Sequence, residues 1–140
     1  MYDHVLLPTD GSHGASRGAD HALELAERFD ATLHVLFVVD EGIYGATPAL
    51  SSEELLFDEL EEEGEQFVAD VADEARERGL DVVTEIARGV PHERIATYAG
   101  DNDVDVIVMG RHGSAARGHP HIGSVTDRVI RSVETPVLPV

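Results

Sequence analysis

The chain has no cysteine and no lysine. Without cysteine it can form no disulfide, and it has neither a thiolate nucleophile nor a cysteine ligand for a metal. No apolar run approaches the roughly 18 residues needed to cross a bilayer, and the N-terminal sequence MYDHVLLPTD lacks the basic region of a signal peptide. We therefore expect a soluble, cytoplasmic protein that does not insert into membranes.

Positive charge is also scarce. The 140 residues include 28 acidic residues and only 10 basic ones, all arginine, which gives a formal net charge of −18. Such a surface repels nucleic-acid phosphates, so we expect no nucleic-acid binding. An acidic, lysine-free composition resembles that of proteins from salt-loading halophiles, where a Debye length of about 3 Å at molar salt screens the repulsion between carboxylates. An acidic mesophilic protein encoded by a GC-rich genome is the alternative.

The length fits one domain spanning residues 1–140, and a hydrophobic content of 42% is ordinary for a globular fold. Short apolar runs alternate with longer amphipathic stretches, with no linker or repeat. The pattern predicts strands at 4–8, 32–39, 80–86, 104–109 and 136–140, and helices that begin near 15, 51, 91 and 123. This alternation indicates an α/β protein with a doubly wound, five-stranded parallel sheet, strand order 3-2-1-4-5 and helices on both faces.

Periodicity assigns an inner face to the first and last helices. The residues predicted to face the sheet from the first helix are Ala15, Ala19, Ala22, Ala26 and Phe29, and those from the last helix are Val125, Val129, Ile130 and Val133. The long acidic helix begins at a capping box formed by Ser51 and Glu54 and stops at Gly79. We interpret its run of glutamates between 59 and 65 as a solvated face rather than a metal site.

A glycine-rich segment, GRHGSAARGHPHIGSVTDRV, follows the fourth strand. Gly110 and Gly113 lie three apart, and Gly123 and Ser124 follow after nine intervening residues. Glycine at the end of a strand lets a ligand approach the backbone closely. The first N–H groups of a helix opened by Gly123 and Ser124 have no intrahelical partner, and the helix dipole favours an anion there. The segment therefore predicts a phosphate-binding site.

Other nucleotide-binding patterns do not fit this segment. The Walker motif needs a lysine, which this chain lacks, and the dinucleotide pattern GxGxxG is absent. A response-regulator receiver has a similar architecture but depends on a lysine near the last strand. The tetrapeptide HIGS resembles the HIGH motif of nucleotidylyl-transferring enzymes, but that motif follows the first strand, so we interpret the match as chance.

The spacing G-x2-G-x9-G-S resembles the signature of the ATP-binding branch of the universal stress protein family. The likeness covers almost the whole chain, through VLLPTDGS, FVVDE, GVPHERI, VIVMGRHG, GSVTDRVI and TPVLPV. It implies bound ATP with Mg²⁺ or Mn²⁺, the hard cation that phosphates require. The adenosine would contact Asp10 and Val38 in a pocket shaped by Pro8 and Thr9. Beside the nucleotide would lie Met109 and Gly110, and ribose and phosphates would be bound by Gly113, Gly123, Ser124 and Val125.

Several of these residues also have a purely structural interpretation. Asp10 is a common turn former, and Val38 and Met109 suit a hydrophobic core. Within the glycine-rich segment, three histidines could touch phosphates or a metal, since histidine charges near neutral pH, or could be solvated loop residues: His112, His119 and His121.

The function implied by the resemblance is that of a nucleotide-dependent regulatory or stress-response module. A slow metal-dependent ATPase or phosphotransferase is the alternative, with Arg111 and Arg117 as candidates to stabilise charge at the γ-phosphate. A nucleotide-free adaptor is disfavoured by the intact glycine spacing. Family members commonly dimerise through the last strand, which implies a homodimer here, although Pro139 removes one hydrogen-bond donor from that strand.

Overall fold

Strands and helices alternate along the described part of the chain in the predicted order. The computed structural model describes residues 2–9, 15–41, 51–110 and 124–140. Its strands are β1 (His4–Thr9), β2 (Thr32–Asp40), β3 (Val82–Gly89), β4 (Val106–Met109) and β5 (Val137–Pro139). Its helices are α1 (Ala15–Phe29), α2 (Ser51–Glu77), α3 (Pro91–Asp101) and α4 (Ser124–Ser132).

The five strands form one parallel sheet of order β3-β2-β1-β4-β5, which confirms the predicted topology. Because successive side chains of a strand point to opposite faces, the same strands contribute to two cores. Val35 and Val108 pack in the core that contains α1 and α2. Leu36 and Ile107 pack in the other, with α3 and α4. The sheet is therefore covered by helices on both faces.

The longest strand, β2, is buried along almost its whole length. Its residues from Leu33 to Val39 are all buried, as expected for a strand covered on both faces. One of them is polar: His34 is 5% exposed. Its Nε2 lies 3.1 Å from Nδ1 of His4, and its Nδ1 lies 2.7 Å from the hydroxyl of Tyr98 on α3. This chain of two hydrogen bonds lies near the amino ends of the strands.

The first three helices end in the same way. Shortly after each helix one residue adopts the left-handed backbone conformation: Asp30 (φ 53°), Gly79 (φ 78°) and Asp103 (φ 51°). The following residue donates its N–H to the carbonyl five positions earlier, at 2.9, 2.9 and 3.1 Å respectively. These following residues are apolar and buried: Ala31, Leu80 and Val104. Each cap thus satisfies a carbonyl at the helix end and fixes that end to the core.

The caps explain why two strands begin later than predicted. In the sequence, Leu80 and Val104 look like the first residues of apolar strands. Both belong instead to the caps of α2 and α3, so β3 and β4 begin at Val82 and Val106. The predicted end of β3 is also wrong, because the strand continues to Gly89.

Two apolar residues predicted to face the sheet are exposed instead. Phe29, the last residue of α1, is 44% exposed, and its ring meets that of Tyr2 edge-on at 5.0 Å. Ile130 on α4 is 39% exposed. Neighbouring residues of a helix differ in direction by about 100°, and the fully buried Val129 already takes the inward position. Other predicted inner positions are buried: Ala19, Ala22 and Ala26.

The acidic helix α2 begins at Ser51, as predicted, while the side chains of its capping box lie outside the described residues. Most of its glutamates between 59 and 65 are exposed. In the described ranges, no group of three acidic or histidine side chains is arranged to hold a metal ion. A search of the same ranges found no helix long and apolar enough to span a membrane.

Candidate functional site

The sheet changes its winding direction between β1 and β4. These neighbouring parallel strands pair Val5 with Val106 and Leu6 with Ile107. The helix that follows β1 packs on one face of the sheet, whereas the helix that follows β4 packs on the other. In doubly wound sheets the usual ligand position is the switch point, beyond the carboxyl ends of two such strands.

Three of the predicted site residues are buried near the carboxyl ends of their strands. Pro8 is buried near the end of β1, and Val38 and Met109 are only 1% and 5% exposed. The side chains of Val38 and Met109 belong to the core between the sheet and helices α3 and α4. The structural interpretation of Val38 and Met109, as residues of the hydrophobic core, is therefore confirmed for their side chains. Thr9, the last residue of β1, is half-buried at the rim.

The remaining described site residues lie where the glycine-rich segment begins and ends. Gly110 follows the last residue of β4, and Ser124 and Val125 are the first two residues of α4. Ser124 is exposed. Because the first N–H groups of a helix have no intrahelical partner, this end of α4 can donate hydrogen bonds to an anion. The predicted site residues Asp10, Gly113 and Gly123 lie outside the described residues. So do the other candidates of the segment: Arg111, Arg117, His112, His119 and His121.

Thr126 joins the two ends of the segment. Its hydroxyl Oγ1 donates a hydrogen bond to the carbonyl oxygen of Gly110 at 3.0 Å, and the residue is only 3% exposed. Sequence reasoning overlooked Thr126, although its place in the first turn of the helix after Gly123 and Ser124 was visible. A buried polar residue normally has a hydrogen-bond partner, but the partner could not be known without the fold.

Gly18 on α1 is a second residue that sequence reasoning missed. A Cβ atom placed on it would lie 3.2 Å from Cδ1 of Leu7 and 3.6 Å from the backbone nitrogen of Gly110. The first of these distances is shorter than an ordinary contact, so even a methyl group here would require the Leu7 side chain to shift by a few tenths of an ångström. Gly18 thus lets α1 approach the start of the glycine-rich segment closely.

Arg88, near the carboxyl end of β3, is already occupied by acidic partners. Its Nη2 lies 2.8 Å from Oδ1 of Asp58, and its Nε lies 3.2 Å from Oε1 of Glu61. The hydrogen bond to Asp58, followed by that to Glu61, raises the pKa of the Arg88 guanidinium. The two carboxylates balance its positive charge, so Arg88 joins β3 to α2 and is a poor candidate for a phosphate ligand.

The fold is that of a doubly wound α/β protein whose winding reverses at a switch point between β1 and β4. The model of the universal stress protein family matches residues 1–140, and the chain belongs to that family. It is 37% identical over 138 residues to the universal stress protein MJ0531 of Methanocaldococcus jannaschii. This alignment covers 99% of this chain and 81% of that protein.

Solved structures share the fold over the whole chain. The structure reported as a structure-based assignment of the biochemical function of hypothetical protein MJ0577, from the same organism, has a TM-score of 0.86 and 33% identity, covering 100% of this chain and 96% of that one. A universal stress protein solved in complex with cAMP has a TM-score of 0.72, covering 99% of this chain and 97% of that one. At 23% identity, this second likeness shows the shared fold alone.

Proposed function

We propose that this universal stress protein binds ATP at the switch point and acts in the cytoplasm as a nucleotide-dependent regulatory module. The observation that supports this most directly is the convergence of Gly110 and the first turn of α4, joined by the Thr126 hydrogen bond. A strand end followed by glycine, facing the amino end of a helix, is an arrangement suited to phosphate. The same residues carry the spacing typical of the ATP-binding branch of the family.

In this proposal the nucleotide lies across the carboxyl ends of β1, β2 and β4. The adenosine occupies the pocket of Pro8, Thr9, Asp10 and Val38, next to Met109. The phosphates lie against Gly110, Gly113, Gly123, Ser124 and Val125, where backbone N–H groups and the dipole of α4 favour negative charge. Mg²⁺ or Mn²⁺ binds with the phosphates and offsets their charge, which matters in a chain of net charge −18.

Regulation follows if ATP binds one form of the protein more tightly than another. A ligand shifts an equilibrium only by its difference in affinity for the two states. Bound ATP would therefore favour whichever dimeric or partner-binding form binds it more tightly. Hydrolysis is not needed for such a response.

The proposal is tested first by identifying what the purified protein carries. Protein prepared without added nucleotide is denatured, and the released compounds are identified by mass spectrometry. Retained ATP with negligible phosphate release over hours supports a binding module, whereas rapid metal-dependent release would assign the chain to the ATPases. No affinity for ATP with Mg²⁺ would overturn the proposal. The assays are run near 1 M salt, where a Debye length of about 3 Å screens the repulsion between ATP and this acidic chain.

Gly123→Val is expected to abolish ATP binding and leave the far-ultraviolet circular dichroism unchanged. A branched side chain directly before α4 would occupy the space through which phosphate approaches the backbone. Isothermal titration with ATP and Mg²⁺ measures the loss. The matched control is Gly100→Val, since Gly100 is exposed and an added Cβ there meets nothing within 4 Å. Unchanged affinity in Gly123→Val would refute the proposed position of the phosphates.

We also infer a homodimer formed through the edge strand β5. Leu138 is 42% exposed on this strand. Within the described part of the chain, β5 pairs only with β4, so its other edge is open. Pro136 and Val140 direct backbone groups towards β4, and since backbone groups alternate along a strand, Val137 and Pro139 present theirs outwards. Proline has no N–H, so Val137 supplies the outward N–H within β5.

This alternation predicts opposite effects for two substitutions. Val137→Pro removes the outward N–H and is expected to shift the protein towards monomer, whereas Pro139→Val restores a donor and is expected to strengthen the dimer. Sedimentation equilibrium in high salt measures both dissociation constants against the unmodified chain. If both variants dissociate like the unmodified protein, pairing through β5 is wrong.

A further inference from the structure

The carbonyl of Gly110 has a specific partner in α4. Thr126 lies in the first turn of that helix and donates its hydroxyl hydrogen to this carbonyl at 3.0 Å. Threonine in a helix commonly bonds a carbonyl of its own preceding turn, but here the hydroxyl reaches 16 residues back along the chain, to the end of β4. The bond therefore sets the separation between the start and the end of the segment 111–123.

Two further contacts fix the same point of the backbone. Gly18 brings α1 so close that a Cβ on it would lie 3.6 Å from the nitrogen of Gly110 and 4.0 Å from the carbonyl carbon of Met109. The N–H of Val140 donates to the carbonyl oxygen of Met109 at 2.8 Å. The end of β4 is thus held by α1, by the residue after β5 and by α4. Of these three contacts, the one from α4 depends on a single side-chain hydroxyl.

The Gly110 carbonyl also matters electrostatically. A carbonyl oxygen carries partial negative charge and repels an anion, whereas a backbone N–H attracts one. The Thr126 hydroxyl donates a hydrogen bond to this oxygen, so the oxygen is paired with α4. Because Thr126 is 3% exposed, water has little access to replace the hydroxyl if it is removed.

We propose that Thr126 is a positioning residue for the nucleotide phosphates, acting through Gly110 and not by direct contact. This inference rests on the proposed ATP site. It assigns to the Thr126 hydroxyl the task of holding the end of β4 and the amino end of α4 at the separation that a phosphate chain bridges. The part of the adenosine pocket at the ends of β1 and β2 does not depend on this bond.

The test compares Thr126→Val, which keeps the branched shape and removes the hydroxyl, with Thr126→Ser, which keeps the hydroxyl. We expect Thr126→Val to weaken binding of ATP with Mg²⁺ by about tenfold, the usual effect of losing one hydrogen bond. Thr126→Ser should remain within about threefold of the unmodified chain, since it retains the donor. Thr126→Val should weaken binding of adenosine, which lacks the phosphates, clearly less than it weakens binding of ATP. Titrations are done well below the melting temperature of each variant.

The outcomes separate this inference from the proposed function. Normal ATP affinity in Thr126→Val overturns the positioning role and leaves the ATP site intact. Equal losses for ATP and adenosine also overturn it, because Thr126 would then act through the general fold. An unmodified chain that binds adenosine but gains nothing from the phosphates, or that binds neither ligand, overturns the proposed ATP site and the role of Thr126 together.

Discussion

Gly64→Ala is expected to destabilise the protein by about 1–3 kcal/mol, although alanine is the better helix former. Gly64 lies in α2, directly above the ring of Phe37 on β2. A Cβ on Gly64 would lie 2.3, 2.6 and 2.7 Å from three atoms of that ring. An ordinary carbon–carbon contact is about 3.5–4.0 Å, so α2 would have to move outwards by roughly 1 Å or the ring would have to leave its position.

The ring has little freedom to move. Phe37 is 3% exposed and packs in the core beneath α1 and α2, among the buried side chains of β2. Protein interiors are close-packed, and an added methyl group in such a place forces side chains or backbone out of their preferred positions. The gain in helix propensity, about 1 kcal/mol, is too small to offset this cost.

A helical glycine elsewhere in the chain provides the control. Gly100 in α3 is exposed, and an added Cβ meets nothing within 4 Å. Gly100→Ala should therefore stabilise the protein by about 0.5–1 kcal/mol through helix propensity and a less flexible unfolded chain. Urea denaturation of both variants in high salt measures the two free energies of unfolding. If both substitutions stabilise the chain, the close packing of α2 on Phe37 is wrong.

The same comparison shows what the sequence could and could not predict about the fold. Parallel strands and covering helices follow from apolar periodicity, because each face of the sheet requires a helix with one apolar side. Periodicity assigns residues to faces but does not give distances between elements. From the sequence, Gly64 is only a residue of low helix propensity within a long helix. Its contact with Phe37 depends on how closely α2 approaches β2.

Helix ends show a related limit. An apolar residue just after a helix can begin a strand or complete a cap. Both roles favour an apolar residue, so the residue type does not distinguish them. Leu80 and Val104 take the second role, since their N–H groups bond carbonyls of α2 and α3. Glycine at 79 did indicate the end of α2, because its left-handed backbone suits glycine. At Asp103 aspartate fills the same role, and the signal is weaker.

The parts of the candidate site that depend on neighbouring residues were predictable from the sequence. The parts that depend on contacts between residues far apart along the chain were not. Gly110 and Ser124 follow a strand and open a helix, and both positions are evident in the sequence. The roles of Gly18 and Thr126 arise from contacts with Gly110, a residue far from both along the chain. Such pairs depend on the strand order and on which face each helix covers, so they become visible only in the folded chain.

Acidification is expected to destabilise the protein through His34. Burial, and then the nearby His4, lower the pKa of His34 below its ordinary value of 6.5. In the unfolded chain His34 takes up a proton as the pH falls below about 6.5, whereas in the folded chain it remains neutral until its lower pKa is reached. Within that window the unfolded state binds more protons, so stability falls by up to about 1.4 kcal/mol per pH unit. Above that pH window, His34 is neutral in both states and its contribution to stability does not change with pH.

The hydrogen bonds of His34 are fully satisfied by a neutral imidazole. Neutral imidazole has one donor and one acceptor nitrogen, which suits a chain from the Tyr98 hydroxyl through His34 to His4, in either direction. Burial and, next, Glu85 raise the pKa of Tyr98 to about 12, so its hydroxyl keeps its proton. Asp105 accepts the backbone N–H of His4 at 2.9 Å and holds that end in place. If both imidazoles were charged, two N–H groups would face each other and their hydrogen bond would be lost.

His34→Phe should remove this part of the pH dependence. We expect the variant to be less stable at pH 7.5, by about 1–3 kcal/mol, because the buried Tyr98 hydroxyl loses its partner. As the pH drops below 6.5, its stability should then fall less steeply than that of the unmodified chain. Taking the difference between the two curves removes the contributions of other groups that titrate in both proteins. His21→Gln, at an exposed position of α1, is the control and should retain the original slope. Parallel curves for His34→Phe and the unmodified chain would show that His34 does not govern the acid response.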